Sequence, residues 1–135
     1  NPWTAEERGA MIEAWAESAN LSVSVVHIED INDPPRWVEH ATKVHGTGTL
    51  VTSDEPTRNL YAEAGWDVHV VELSQRTTLE GWRVRQTIRM LSTVMDDEAT
   101  REVLSASVPA AVIEWLIEND AVFRCSTFET GVHAG

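Results

Sequence analysis

Residues 49–72 read TLVTSDEPTRNLYAEAGWDVHVVE, and this stretch decides the fold class. Thr49–Thr52 is a short β-branched run that predicts a strand. Ser53-Asp54 then caps a helix expected over about 55–64, with Gly65 as its C-cap. Trp66–Glu72 predicts the next strand. A strand, a helix and a strand in that order make a crossover, which joins parallel neighbours and is right-handed in nearly all known cases.

Working outward, Gly46-Thr47-Gly48 ends a short helix expected over 36–44. Before it, Glu29–Pro35 is a polar loop closed by Pro34-Pro35, which cannot continue a helix or a central strand. Leu21–Ile28 (LSVSVVHI) is rich in β-branched residues and predicts a buried strand. Residues 4–19 predict a helix. Thr4 is its N-cap, Glu7 completes a capping box, and Met11, Ile12 and Trp15 share one face. Downstream of the opening stretch come a polar loop over 73–81, a helix over about 82–91 and another over 96–104. Pro109 opens a last amphipathic helix with Val108, Val112, Trp115 and Leu116 on one face. The tail from Cys125 to Gly135 reads as loose.

The order α-β-α-β-α-β-α-α predicts an α/β fold, a Rossmann-like parallel sheet with flanking helices. Three strands are too few for a doubly wound sheet of five or six, and an apolar edge would stay unpaired. The sequence also opens at a helix cap, on Asn1 rather than Met. The expectation is therefore a chain lacking its N-terminal strands, with those strands supplied from upstream or by a partner chain.

Composition narrows the function classes. The 135 residues are 42% hydrophobic, enough for one core. No apolar run approaches the ~18–20 residues of a membrane helix, and residues 1–20 are an acidic amphipathic helix rather than a signal peptide. A cytoplasmic protein with no membrane partner is expected. The single Cys125 excludes an internal disulfide and a multi-cysteine zinc site. Net charge is −12, from 22 acidic and 10 basic residues, which disfavours nucleic acid as a partner. Of the basic residues only Lys43 is a lysine. An acidic, lysine-poor surface is halophile-like, and a genome that favours Arg codons gives the same composition.

The strongest local signal is RTTLEGWRVRQTIR, residues 76–89, where Arg76, Arg83, Arg85 and Arg89 face one acid, Glu80. Gly81 precedes the helix, so Arg83 and Arg85 fall near its first turn, the wrong sign for the dipole. A phosphate held there by backbone N–H groups and guanidinium forks removes the conflict; an exposed Arg-rich helix on an acidic surface is the plainer alternative. The second signal is the loop Asp30-Ile31-Asn32-Asp33-Pro34-Pro35-Arg36-Trp37, after a strand's C-terminal end, where open parallel sheets hold ligands. Trp37 could stack on a flat heterocycle, or be an ordinary core aromatic; Asp30 could accept from an amide or ribose. The third is Thr52-Ser53-Asp54-Glu55-Pro56, a ligand-facing loop or a plain N-cap. The histidines, His27, His40, His45, His69 and His133, lack zinc spacing, and His27 and His69 fall in strands. There is no Walker loop and no GxGxxG.

Five segments then resemble, in order and over about residues 1–118, the archaeal-type nicotinamide-nucleotide adenylyltransferases of the nucleotidyltransferase superfamily. Asn1-Pro2-Trp3-Thr4-Ala5-Glu6-Glu7-Arg8 with Met11-Ile12 resembles NPFTxxERxxMI. Asp30-Ile31 with Trp37-Val38 and His40 resembles DIxxxxxWVxH. Leu60–Val68 resembles the LFxEAGYEV turn. Glu80–Arg85 resembles SGTEIR, and Val108-Pro109 with Val112 resembles VPxxV. The resemblance implies a Rossmann-like domain over 1–120, the C-terminal part of a nucleotidyltransferase, with 121–135 as a loose tail. It implies transfer of the AMP part of ATP to nicotinamide mononucleotide, giving NAD and pyrophosphate.

By the same resemblance Trp37 would stack on nicotinamide, with Asp30 and Ile31 fixing the amide and ring edge. Arg85 would grip the ATP phosphates beside the Gly81 and Trp82 amides, and Ser53, Asp54 and Glu55 would lie near adenine or ribose. Mg²⁺ would bridge the phosphates, and no protein nucleophile is needed, since positioning and charge neutralisation carry such a transfer. The family often forms homo-oligomers, so a homo-oligomer is implied as well. Its HxGH motif, which precedes NPFT and contacts the transferring phosphates, does not occur in residues 1–135. The Thr and Ser of SGTEIR stand as Trp82 and Glu80, and the Asn usual in the second-strand loop stands as Glu55. The expectation is a fragment inactive on its own. The alternatives are a non-catalytic module that binds a nicotinamide nucleotide or a partner, a related pantetheine or cytidylyl transferase, which the Asp30-to-Trp37 spacing opposes, and an unrelated flavodoxin-like interaction domain.

Overall fold

A computed structural model describes residues 1–127 of the chain. Along the sequence run α1 (Ala5–Ser18), α2 (Pro34–His45), β1 (Leu50–Thr52), α3 (Glu55–Glu63), β2 (Val68–Val70), α4 (Arg76–Leu79), α5 (Gly81–Ser92), α6 (Asp97–Leu104), α7 (Ala110–Glu118) and a 3₁₀ turn, Phe123–Thr127. The chain divides into two compact units. The central unit is Val26–Ser74; the flanking unit joins Asn1–Val25 with Gln75–Gly135.

The central unit is a parallel βαβ motif preceded by α2. β1 and β2 pair in parallel, with Leu50 opposite Val68, Val51 opposite His69 and Thr52 opposite Val70. α3 makes the crossover and packs on both strands. Its start is fixed by Asp54, whose carboxylate accepts from the Thr57 amide at 3.0 Å and the Thr57 hydroxyl at 2.6 Å, holding the acid below its ordinary range. Its end is fixed by Gly65, whose φ of +85° is left-handed and open to glycine at little cost. α2 and α3 close on an aromatic cluster. Tyr61 is buried, with Trp66 edge-on to it at 5.0 Å and His45 stacked on it at 5.9 Å. The His45 Nδ1 lies 2.6 Å from the Gly46 carbonyl, which can only accept, so Nδ1 donates there. In the neutral ring the Tyr61 hydroxyl then donates to Nε2 at 2.8 Å.

The mixed α/β class with a parallel, Rossmann-like sheet holds, but the first expected strand does not form. Residues 21–28 have no regular secondary structure and no strand pairing, and Leu21, Val23 and Val26 are exposed. β-propensity reports fit to a sheet, not the presence of a neighbour, and no described segment offers 21–28 a ladder of N–H and C=O groups. Two smaller corrections concern helices. Pro34 and Pro35 open α2 instead of barring it, because the first helical positions need no N–H. The loop expected over 73–81 contains the single turn α4.

The flanking unit is helical around Ile88, Leu91, Leu104, Ile113, Leu116, Ala121 and Cys125. α1 packs on α7, and α5 packs on α6 and the 3₁₀ turn. The capping box forms as expected: Thr4 Oγ1 accepts from the Glu7 amide at 3.1 Å, and Glu7 Oε1 accepts from the Thr4 amide at 3.2 Å. Of the expected face of α1, Met11 packs against the core, but the buried face is turned away from the other two. Gly9 and Ala16 are the buried positions while Ile12 and Trp15 are exposed, since small residues let α1 approach α7 closely. The tail is corrected over 121–127. Ala121 and Cys125 are fully buried, the Ala121 carbonyl accepts from the Trp3 indole at 3.1 Å, and Arg124 pairs with Glu7 at 2.5 Å. Residues 128–135, with His133, lie outside the described part. No helix of the described residues is long and apolar enough to cross a membrane.

Candidate functional site

In the central unit a groove of about 390 Å³ runs between the 30–34 loop, Trp37 of α2, and Thr57 and Leu60 of α3. Asp30 and Trp37 are thus brought together as the sequence suggested. Ile31 is not: it lines a separate hollow with Arg36, Glu39, His40 and Lys43. The reason is local. Asp30 Oδ1 accepts from the Asn32 amide at 2.8 Å, and Asn32 takes a left-handed φ of +50°, so the loop turns sharply and sends neighbouring side chains to opposite sides. His40 Nε2 donates to the Glu29 carbonyl at 2.8 Å, tying the loop to α2. Trp37 is half-buried, 5.7 Å from the His40 ring, so it is neither sealed in the core nor free. A groove of this size with one aromatic side chain and an acid at its rim can hold a planar polar ring.

In the flanking unit the first turn of α5 gathers several charges. Glu80 Oε2 accepts from the Trp82 indole at 2.8 Å and from Arg83 Nε at 3.2 Å, and Arg76 lies 4.0 Å from its other oxygen. The Arg83 guanidinium covers the Trp82 ring at 4.4 Å. Arg85 does something different. It is only 6% exposed, and it folds back over the helix start, so that a methyl placed on Gly81 would stand 2.9 Å from its Nη1. Among the described residues no carboxylate lies within ion-pair distance of it. The nearby Cys125 thiol is pushed up to about 11 by burial, with Arg85 and Arg124 pulling the other way. The first amides of a helix, here Gly81 and Trp82, have no intrahelical partner. A buried guanidinium at the positive end of a helix dipole is costly unless an anion joins it.

The third expected group is placed less suggestively. The Asp54 carboxylate is engaged in capping α3, Glu55 lies 3.6 Å from Arg58, and Ser53 is exposed. His69 lies in β2 and is exposed, and His27 lies in the irregular 21–28 segment rather than in a strand. Asn32, Thr57 and Leu60 line the groove but were not singled out from sequence. The i, i+3 step from Thr57 to Leu60, just past an Asp cap, is the signal that could have found the latter two.

No protein-family model matches the chain. Individual proteins do. Over 92% of its length the chain is 34% identical to a nicotinamide-nucleotide adenylyltransferase of Haloarcula marismortui, of which the match covers 61%. It is 33% identical to the protein of the same name from Methanoculleus marisnigri, covering 68% of it. It is 31% identical to that of Picrophilus torridus, covering 69%. The chain therefore spans about two thirds of the length of these relatives.

Proposed function

Because the chain belongs to the nicotinamide-nucleotide adenylyltransferase family, we propose that it carries nucleotide-binding groups for adenylyl transfer from ATP to nicotinamide mononucleotide, giving NAD and pyrophosphate. The observation that carries this reading is the buried Arg85 guanidinium folded over Gly81. In the proposal it grips ATP phosphates beside the Gly81 and Trp82 amides. The Trp37 groove takes the nicotinamide ring, with Asp30 accepting from the carboxamide and Ile31 at the ring edge. Ser53, Asp54 and Glu55 lie toward adenine or ribose, through backbone in the case of Asp54, whose carboxylate is already used.

A phosphate oxygen of the mononucleotide attacks the α-phosphorus of ATP, the bond to the β-phosphate oxygen breaks, and pyrophosphate leaves with the electron pair. The protein positions and neutralises charge; it forms no covalent intermediate. Among the described residues no group of three or more His, Cys, Asp or Glu is arranged to hold a metal ion. Mg²⁺, which the resemblance implies, would neutralise charge on the nucleotide's phosphates in this proposal. The HxGH histidines that the resemblance places on the transferring phosphates are not in residues 1–135, so this segment alone should make no NAD from the mononucleotide and ATP.

Calorimetric titration tests the assignment. Arg85→Gln should weaken ATP by about tenfold or more, the scale of a charge-assisted hydrogen bond, and leave the mononucleotide unchanged; equal losses would break it. One observation favours a second reading, a non-catalytic nucleotide-binding module. Trp82 presents an indole, bonded to Glu80, where the resembling motif has a small hydroxyl for phosphate. ATP affinity that does not rise in Trp82→Thr would discard that reading.

A further inference from the structure

Beside Arg85, the first turn of α5 holds a second guanidinium. Arg83 is fixed in two ways: its Nε donates to Glu80 Oε2 at 3.2 Å, and its plane lies over the Trp82 ring at 4.4 Å. The indole is itself held by its 2.8 Å bond to the same Glu80 oxygen. Glu80 and Trp82 thus form a seat that orders a long side chain before any ligand arrives. Both described contacts use the Nε edge and the face of the guanidinium, which leaves the two terminal nitrogens to donate. The side chain is about half exposed, 47%.

The geometry points to Arg83 as a specificity-determining residue that makes the α5 start select polyphosphate over single phosphate. Residues 83 and 85 leave the helix roughly 200° apart, at 100° per residue, so their guanidinium groups approach the helix start from different sides. Arg85 does so buried, over Gly81; Arg83 does so from the solvent side. A lone phosphate beside Gly81 meets Arg85 and the first amides. A chain of phosphates also extends outward to Arg83, whose pairing with Glu80 offsets the repulsion this acid would otherwise exert. The inference rests on the assignment of Arg85 to phosphate.

The test titrates the full chain with inorganic triphosphate and with inorganic phosphate, each at several salt concentrations. Arg83→Gln should raise the triphosphate Kd about tenfold, change the phosphate Kd less than about twofold, and flatten the salt dependence of triphosphate binding by about one contact. Its melting temperature should fall only slightly, by the small worth of one surface ion pair and one exposed stacking contact. Arg83→Lys should recover the salt dependence but not the full affinity, since an ammonium has no flat fork. An unchanged triphosphate Kd in Arg83→Gln, or equal losses for both anions, overturns the proposal while leaving Arg85 in place. If Arg85→Gln also leaves both anions bound, the phosphate assignment itself falls.

Discussion

The central unit closes on Val38, Ala41 and Tyr61, whereas the flanking unit encloses Ile88, Leu91, Leu104, Ile113, Leu116 and Cys125. The first is held by polar and aromatic devices: the Asp54 cap, the His45–Tyr61 bond and the Trp66 edge contact. The second is held by apolar volume. Their candidate sites differ in the same way. The groove beside Trp37 is walled by loop and half-exposed helix, while Arg85 is packed into the structure that surrounds it. A planar ring asks for a face and a rim, which light scaffolding supplies. A buried cation asks for rigid surroundings that cannot relax away from it, and only a dense core supplies those.

Removing volume where it matters most should separate the units most clearly. Leu104→Ala should destabilise the flanking unit by roughly 2–5 kcal/mol, as buried Leu truncations do. Urea unfolding monitored by amide exchange should show the loss in α5–α7. A comparable loss in β1 and β2 would mean that the units unfold as one. Next, Trp37→Ala should cost about 1–3 kcal/mol of mononucleotide binding, the range for ring stacking, with ATP affinity unchanged. Quenching of Trp fluorescence by the mononucleotide that survives the substitution would remove the stacking role. Tyr61→Phe should cost the central unit about 1 kcal/mol through the lost bond to His45, read from the denaturation midpoint of β1–β2 probes.

The smallest contrast is with pH. Glu114, bonded to Arg101, and Glu7, bonded to Arg124, are both held below the ordinary carboxylate range. A lowered folded-state pKa adds stability that is present above the unfolded-state value and is lost as pH falls through the folded one. The flanking unit should thus weaken on acidification below the usual carboxylate range, and Arg101→Gln should flatten that slope. The corresponding group in the central unit is Asp54, held low by Thr57; Thr57→Val should flatten the acid slope there and leave the other untouched.

Much of this was legible in sequence because it is local. The Thr4–Glu7 box, the Asp54 cap, the Gly65 turn and the strand–helix–strand order depend on residues a few positions apart. What was misread depends on neighbours far along the chain. Leu21–Ile28 has the composition of a strand but no ladder to join. Cys125 reads as tail because its burial comes from α5, more than thirty residues upstream. The candidate site divides likewise. Asp30 and Trp37 could be paired from a loop-to-helix spacing, but the left-handed Asn32 that parts Ile31 from them is not evident from propensity. The Glu80–Trp82–Arg83 seat was legible as charge and not as geometry.

Gly81 carries a consequence of its own. Its backbone is not among the left-handed positions, so the chain path does not demand glycine. The missing side chain is instead the room in which Arg85 lies. An alanine there would suit the helix, but its methyl would press on the Arg85 Nη1 and make that flexible tip shift, trading helix propensity against the placement of the guanidinium. Position 81 is thus a place where stability and recognition pull in opposite directions.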